Sequence, residues 1–184
     1  MDFYFKHPTT IQISWPTGCG KTWFVRRIQE EQHIQPFPTR IIWIYSEWQS
    51  YYDHVRATFP HVEFVEGWRE DLYASIRPDE RNLLILDDQM DEAGDSKTLS
   101  KLFKKGLHHR NLTVIYLVQN VFNQSKSQRT VSLNSHYNFA TDAMPANIER
   151  SLTRCVQTTR VGFWTRSNAR RVGRTVTSYW TIIH

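Results

Sequence analysis

Apolar positions along the chain follow two periods. Ile11 and Ile13 alternate with polar neighbours, a glycine-containing loop follows, and from Phe24 the apolar residues recur at helical spacing (Phe24, Val25, Ile28), predicting strand, loop and helix over residues 10–32. Pro36 and Pro38 break the pattern. Residues 40–46 (RIIWIYS) then form a nearly continuous apolar run, as a strand buried on both faces of a parallel sheet requires. Residues 48–59 read as an aromatic and polar connection, partly helical, followed by a short strand at 62–65 and a brief helix at 71–76 that Pro78 ends. Two more buried strands are expected at 82–88 (NLLILDD) and 112–118 (LTVIYLV). Between them, Leu99, Leu102, Phe103 and Leu107 mark a helix over 96–109 behind the cap candidates Asp95 and Ser96. A polar loop at 121–129 with Lys126 and Arg129, a helical turn at 130–134 and a last core strand at 136–141 complete the pattern. Strands alternating with helices predict an α/β fold: a mostly parallel sheet flanked by helices on both faces.

The first loop carries the most specific chemistry. Glycines between a strand and a helix let backbone N–H groups turn inward around a phosphate, and the new helix adds unpaired N–H groups and the positive end of its dipole. Pro16, Thr17, Gly18, Cys19, Gly20, Lys21 and Thr22 are therefore the candidate ATP contacts, with Lys21 reaching the β- and γ-phosphates and the Thr22 hydroxyl ligating Mg²⁺. An ordinary Gly/Pro turn would leave the Lys-Thr pair directly behind the glycines unexplained. Where the usual phosphate-loop pattern begins with glycine, this chain has Trp15, and the indole is expected to impair nucleotide binding. The second informative run is NLLILDD, an apolar strand that delivers two acids to the sheet edge where nucleotides bind in α/β folds. Asp87 is the candidate Mg²⁺ acid and Asp88 the candidate that polarises the attacking water; alone, the pair would read equally well as an Asp-rich turn. Gln119, at the tip of the strand over 112–118, is the candidate γ-phosphate sensor, against the plainer reading of a strand-end amide bonded to the next loop.

Composition narrows the class. The chain has 184 residues and is 40% hydrophobic, enough for one domain with a real core. Its two cysteines, Cys19 and Cys155, make no disulfide framework, which favours a reducing compartment. No stretch has the length and apolarity to span a bilayer and the N-terminus lacks a signal peptide's regions, so a soluble intracellular protein without membrane contact is expected. The net charge of +5 is unevenly placed: from Arg150 onward there are seven Arg and no Lys, Asp or Glu. Lys97, Lys101, Lys104 and Lys105 read as a solvated helix face or, alternatively, as contacts that track a DNA backbone. His108 and His109 are adjacent and point apart on a helix, with no further ligand at metal spacing, so no zinc site is expected.

The segments PTGCGKTWFVRR, LLILDDQMDEA, SKTLSKLFKKGLHHRNLTVIYLVQNVF and SQRTVSLNSHY together resemble the FtsK/HerA superfamily of DNA-pumping ATPases, most of all its viral genome-packaging branch, including poxvirus-type and adenovirus-like packaging ATPases and virus-derived mobile elements. The likeness covers roughly residues 7–154. It implies a RecA-like P-loop NTPase core (the ASCE group), ATP and Mg²⁺ as cofactors, a homo-oligomeric ring, and hydrolysis coupled to moving double-stranded DNA without sequence specificity into a capsid, whose protein would be a further partner. Host nucleus, cytoplasm or virion would be its location. By position the resemblance also assigns Arg110 as the arginine that stabilises transition-state charge, often across a subunit boundary. It divides the chain into an ATPase domain at 1–154 and a divergent basic tail at 155–184 that departs from the family and is read as a frameshifted ending. Two alternatives stand beside it. One is a nucleotide-binding or inactive relic of such an ATPase, and the other is a small-molecule kinase, whose arginine-bearing lid and acceptor pocket are not visible before residue 150.

Overall fold

A computed structural model describes residues 4–87, 103, 109–119, 131 and 133–140. In chain order they form β1 (Phe5–Lys6), β2 (Thr10–Ser14), α1 (Lys21–Glu30), β3 (Ile34–Gln35), β4 (Arg40–Tyr45), α2 (Ser50–Thr58), β5 (Val62–Glu66), α3 (Glu70–Ser75), β6 (Asn82–Asp87), β7 (Leu112–Val118) and β8 (Tyr137–Ala140). The strands and helices expected from periodicity in these stretches are therefore present. The helix expected over 96–109 lies outside the described residues apart from Phe103 and His109. Asp88, the loop at 121–129 and the tail also lie outside them.

Six strands make one sheet in the order β5-β4-β6-β7-β2-β8, and every pairing in it is parallel. The alternation of side chains along each strand divides the core in two. On one face, Ile41 and Trp43 of β4, Leu83 and Ile85 of β6, Ile115 and Leu117 of β7, and Ile11 and Ile13 of β2 meet Phe24, Val25 and Ile28 of α1 and Tyr52 and Val55 of α2. On the other, Ile42, Ile44, Leu84, Leu86, Val114 and Tyr116 meet Leu72 of α3, Ile76, Phe103 and Val131. Helices thus cover both faces, which is why the central strands read as unbroken apolar runs. A separate pair, β1 with β3, is also parallel and was not anticipated, since two-residue strands leave no period in a sequence.

Register decides where chemistry collects. Ser14 lies opposite Val118, Leu117 opposite Asp87, and Asp87 opposite Tyr45, so the C-terminal ends of β2, β7, β6 and β4 emerge along one edge. The opposite edge is sealed by polar bonds. The buried Asn82 side chain donates to Arg77 O at 2.7 Å, Glu80 O at 2.9 Å and Arg110 O at 3.2 Å, tying the turn at 77–80 to the one before β7. Asn111, at φ 47, takes the left-handed conformation that asparagine tolerates better than most residues.

His7 is buried at this edge. Its Nε2 lies 2.9 Å from Asn111 Oδ1, an acceptor, so Nε2 carries the hydrogen. Nδ1 then accepts from the Thr113 hydroxyl at 2.7 Å, while Thr113 Oγ1 accepts the Thr9 N–H at 3.2 Å. Burial pushes the His7 pKa below its ordinary 6.5, the bond to Asn111 opposes this, and the Arg81 charge adds to the lowering. As pH drops below about 6.5, the unfolded chain takes up a proton that the folded chain resists, so folding stability falls with pH until the folded pKa is also passed. Urea denaturation between about pH 7.5 and about pH 5.5 should show this loss, with a His7 share of at most about 1.4 kcal/mol per pH unit, the slope for one proton. His7→Gln should flatten it, and an unchanged slope would show that His7 is not its source.

Candidate functional site

At its C-terminal end β2 runs one residue beyond Ser14 in hydrogen-bonding terms, because the Trp15 N–H donates to Val118 O at 3.2 Å. The chain then turns through Pro16, Thr17 and Gly18, all exposed, and Cys19, which is buried and donates its N–H to Pro16 O at 3.2 Å. Gly18 at φ 76 and Gly20 at φ 80 are both left-handed, which is where this loop needs residues without Cβ. Gly20 O accepts the Phe24 N–H at 2.9 Å and opens α1. No side chain caps the helix and no acidic residue occupies its first turn, so its leading N–H groups and positive dipole end face the loop without a negative side chain of their own.

Four sequence-predicted residues converge here. Lys21 Nζ folds back over the loop and donates to Trp15 O at 2.9 Å and Pro16 O at 3.3 Å. Thr22 Oγ1 donates to Asp87 Oδ2 at 3.3 Å, joining the start of α1 to the end of β6. Gln119, just past β7, accepts the Thr17 hydroxyl on its Oε1 at 3.0 Å, which brings it onto the loop from the strand that separates β2 from β6. Asp87 is only 2% exposed, and a buried carboxylate needs donors to offset its lost hydration. It has a second one at the same oxygen: the Tyr52 hydroxyl of α2 donates to Oδ2 at 2.9 Å. Hydrogen bonds to charged groups contribute about 1.5–3 kcal/mol each, so these donors help hold the carboxylate in place.

The chemical character follows from the donors. Lys21 and the N–H groups of the loop and helix start suit an anion of phosphate type. The Thr22 hydroxyl and the Asp87 carboxylate supply hard oxygen donors to a cation that keeps several waters and takes its other ligands from phosphates, so they fit Mg²⁺. Among the described residues there is no group of three or more His, Cys, Asp or Glu able to hold a metal by themselves.

Arg110 is not brought to this site. It precedes β7 at the opposite edge of the sheet, where its Nη1 donates to Ile76 O at 2.8 Å and its guanidinium lies 4.8 Å from the centre of the Tyr73 ring. Seven residues of β7 separate the two edges, roughly 23 Å at 3.3 Å per residue, so it has no access to the loop of its own chain. Tyr52 is the residue that sequence reasoning missed. The signal was weak but present: Tyr52 and Val55, three apart, are the buried pair of α2, and the preceding strand ends with Tyr45 opposite Asp87.

No protein-family model matches the chain, and comparison with curated proteins gives no match. Among the described residues, no helix is long and apolar enough to cross a membrane.

Trp15, where glycine was expected, is accommodated by the fold. Its backbone is not among the positive-φ positions, so a glycine is not demanded there. Its indole is 9% exposed and packs on Phe24 at 5.2 Å between ring centres, within the core face that α1 covers. The conformational freedom of glycine is used three and five residues later, at Gly18 and Gly20. Removing the indole by Trp15→Gly should therefore destabilise the fold by about 3–5 kcal/mol, as large-to-small changes of buried aromatics do. Chemical denaturation checks this; unchanged stability with tighter ATP binding would instead restore the view of the indole as an obstruction.

Proposed function

We propose that the chain is an ATP-hydrolysing motor that moves double-stranded DNA, a genome-packaging ATPase of FtsK/HerA type with a RecA-like P-loop core. One observation carries the ATPase reading: Lys21, Thr22, Asp87 and Gln119, drawn from three strand ends, meet around one glycine loop. The strand order supports the RecA-like assignment, since β7 lies between the loop-bearing β2 and the acid-bearing β6 and so delivers a polar residue between them. The DNA-moving part rests on the sequence resemblance, together with the basic segments at 97–105 and beyond 150, which lie outside the described residues.

In this reading, Lys21 exchanges its two carbonyl acceptors for the β- and γ-phosphates, while the loop N–H groups hold the β-phosphate. Thr22 and Asp87 would hold Mg²⁺ arriving with the triphosphate, and the ion would supply neutralisation of phosphate charge; Asp88 orients the attacking water. Gln119 gives up its bond to Thr17 to meet the γ-phosphate and registers its loss after hydrolysis. Because Arg110 lies on the far edge of its own subunit, it acts only on a neighbour's nucleotide, which makes turnover depend on a ring.

Measuring ATP hydrolysis with and without double-stranded DNA tests the whole reading. DNA-stimulated turnover is expected, phosphorylation of a small acceptor would indicate a kinase, and no turnover would indicate a relic. Lys21→Ala should lower turnover by on the order of 100-fold or more, as loss of a charge that meets the transition state does; retained hydrolysis removes the phosphate-loop assignment. Arg110→Ala should spare ATP binding and slow turnover, and mixing it with Asp88→Asn should restore part of the activity. A mixture no more active than its components would contradict an arginine acting between subunits.

A further inference from the structure

We propose that Tyr52 is a positioning residue for the metal-holding carboxylate, so that α2 sets the geometry of the Mg²⁺ end of the site alongside the phosphate loop. This rests on the magnesium-nucleotide reading of Lys21, Thr22 and Asp87 given above.

The placement of the phenol is built rather than incidental. Tyr52 is 1% exposed, and its hydroxyl reaches Asp87 Oδ2 at 2.9 Å, the same oxygen that accepts from Thr22 at 3.3 Å. The ring is clamped by aromatic neighbours from three segments: Trp43 at 5.7 Å and Tyr45 at 5.6 Å between centres on β4, Trp48 at 5.5 Å in the loop, and Phe64 at 5.7 Å on β5. With the ring so held, the phenolic oxygen has a fixed position, and a short bond to one carboxylate oxygen limits rotation of the other. Thr22 and Tyr52 then differ in their roles. A hydroxyl that ligates a cation does so with a lone pair, so Thr22 can serve both metal and acid, whereas the clamped Tyr52 phenol only orients the acid. Carboxylates that hold a metal depend on such partners, whose loss costs about 10–100-fold in metal affinity or activity.

Tyr52→Phe keeps the ring and removes only the donor. The probe is Mn²⁺ in the presence of ADP, with free Mn²⁺ followed by electron paramagnetic resonance on the full chain. Expected is a rise in the half-saturating Mn²⁺ concentration on the order of 10-fold, with ADP affinity in the absence of metal within about threefold of wild type. The same substitution in an Asp87→Asn background should then add nothing, because the carboxylate it orients is gone. A half-saturation point within about twofold of wild type, or an equal effect in both backgrounds, overturns the role of Tyr52 while leaving the phosphate-site reading intact. A wild-type chain that takes up no Mn²⁺ with ADP overturns that reading and this proposal together.

Discussion

A carboxylate with almost no access to water must be met by donors or lose its charge, and the arrangement around Asp87 is organised by that requirement. The acid ends a strand that is buried along its whole length, so its donors have to come from elements arriving at the same sheet edge. They do: Thr22 comes from the helix after β2, and Tyr52 from the helix after β4. Both helices lie on the same face of the sheet, packed over one shared core. The site is therefore a consequence of parallel register, since an antiparallel neighbour would have sent its following helix to the other edge.

The same constraint separates the two ends of the molecule. At the C-terminal edge, Lys21 and Gln119 bond to the glycine loop and Asp87 bonds to Thr22 just behind it. At the N-terminal edge, His7 bonds Asn111 and Thr113, the Asn82 amide nitrogen donates to the turns around it, and Arg110 belongs to that end. The chemistry of one edge leans on the closure of the other, because β6 and β7 hold Asp87 and Gln119 in place only while their beginnings stay paired.

Most of this was legible in the sequence because the central strands are covered on both faces. RIIWIY, NLLILD and LTVIYLV have no solvent-facing positions to interrupt them, and runs of that kind identify themselves. The glycine loop between strand and helix was equally legible, since glycines before Lys-Thr answer to a local backbone need that the φ values of Gly18 and Gly20 display. What remained hidden depends on tertiary contact. Trp15 looked like a misplaced residue because a sequence shows the glycine it replaces and not the Phe24 ring that receives it. Tyr52 sat in a stretch of tyrosines with nothing local to mark one phenol as the partner of an acid thirty-five residues away. Arg110 precedes β7 and Gln119 follows it, so a parallel sheet already separates them; what the sequence could not show is that Ile76 O and the Tyr73 ring hold the guanidinium at the far edge.

The claim that the edge formed by β2, β6 and β7 is a magnesium-nucleotide site is tested most directly by a crystal structure of the chain with Mg²⁺ and a non-hydrolysable ATP analogue. The phosphates should lie over Gly18 to Thr22, with Lys21 Nζ moved from Trp15 O and Pro16 O onto the β- and γ-oxygens, and the cation should sit between the Thr22 hydroxyl and Asp87. Nucleotide bound elsewhere, or phosphates in the loop with Lys21 still donating to its two carbonyls, would contradict it.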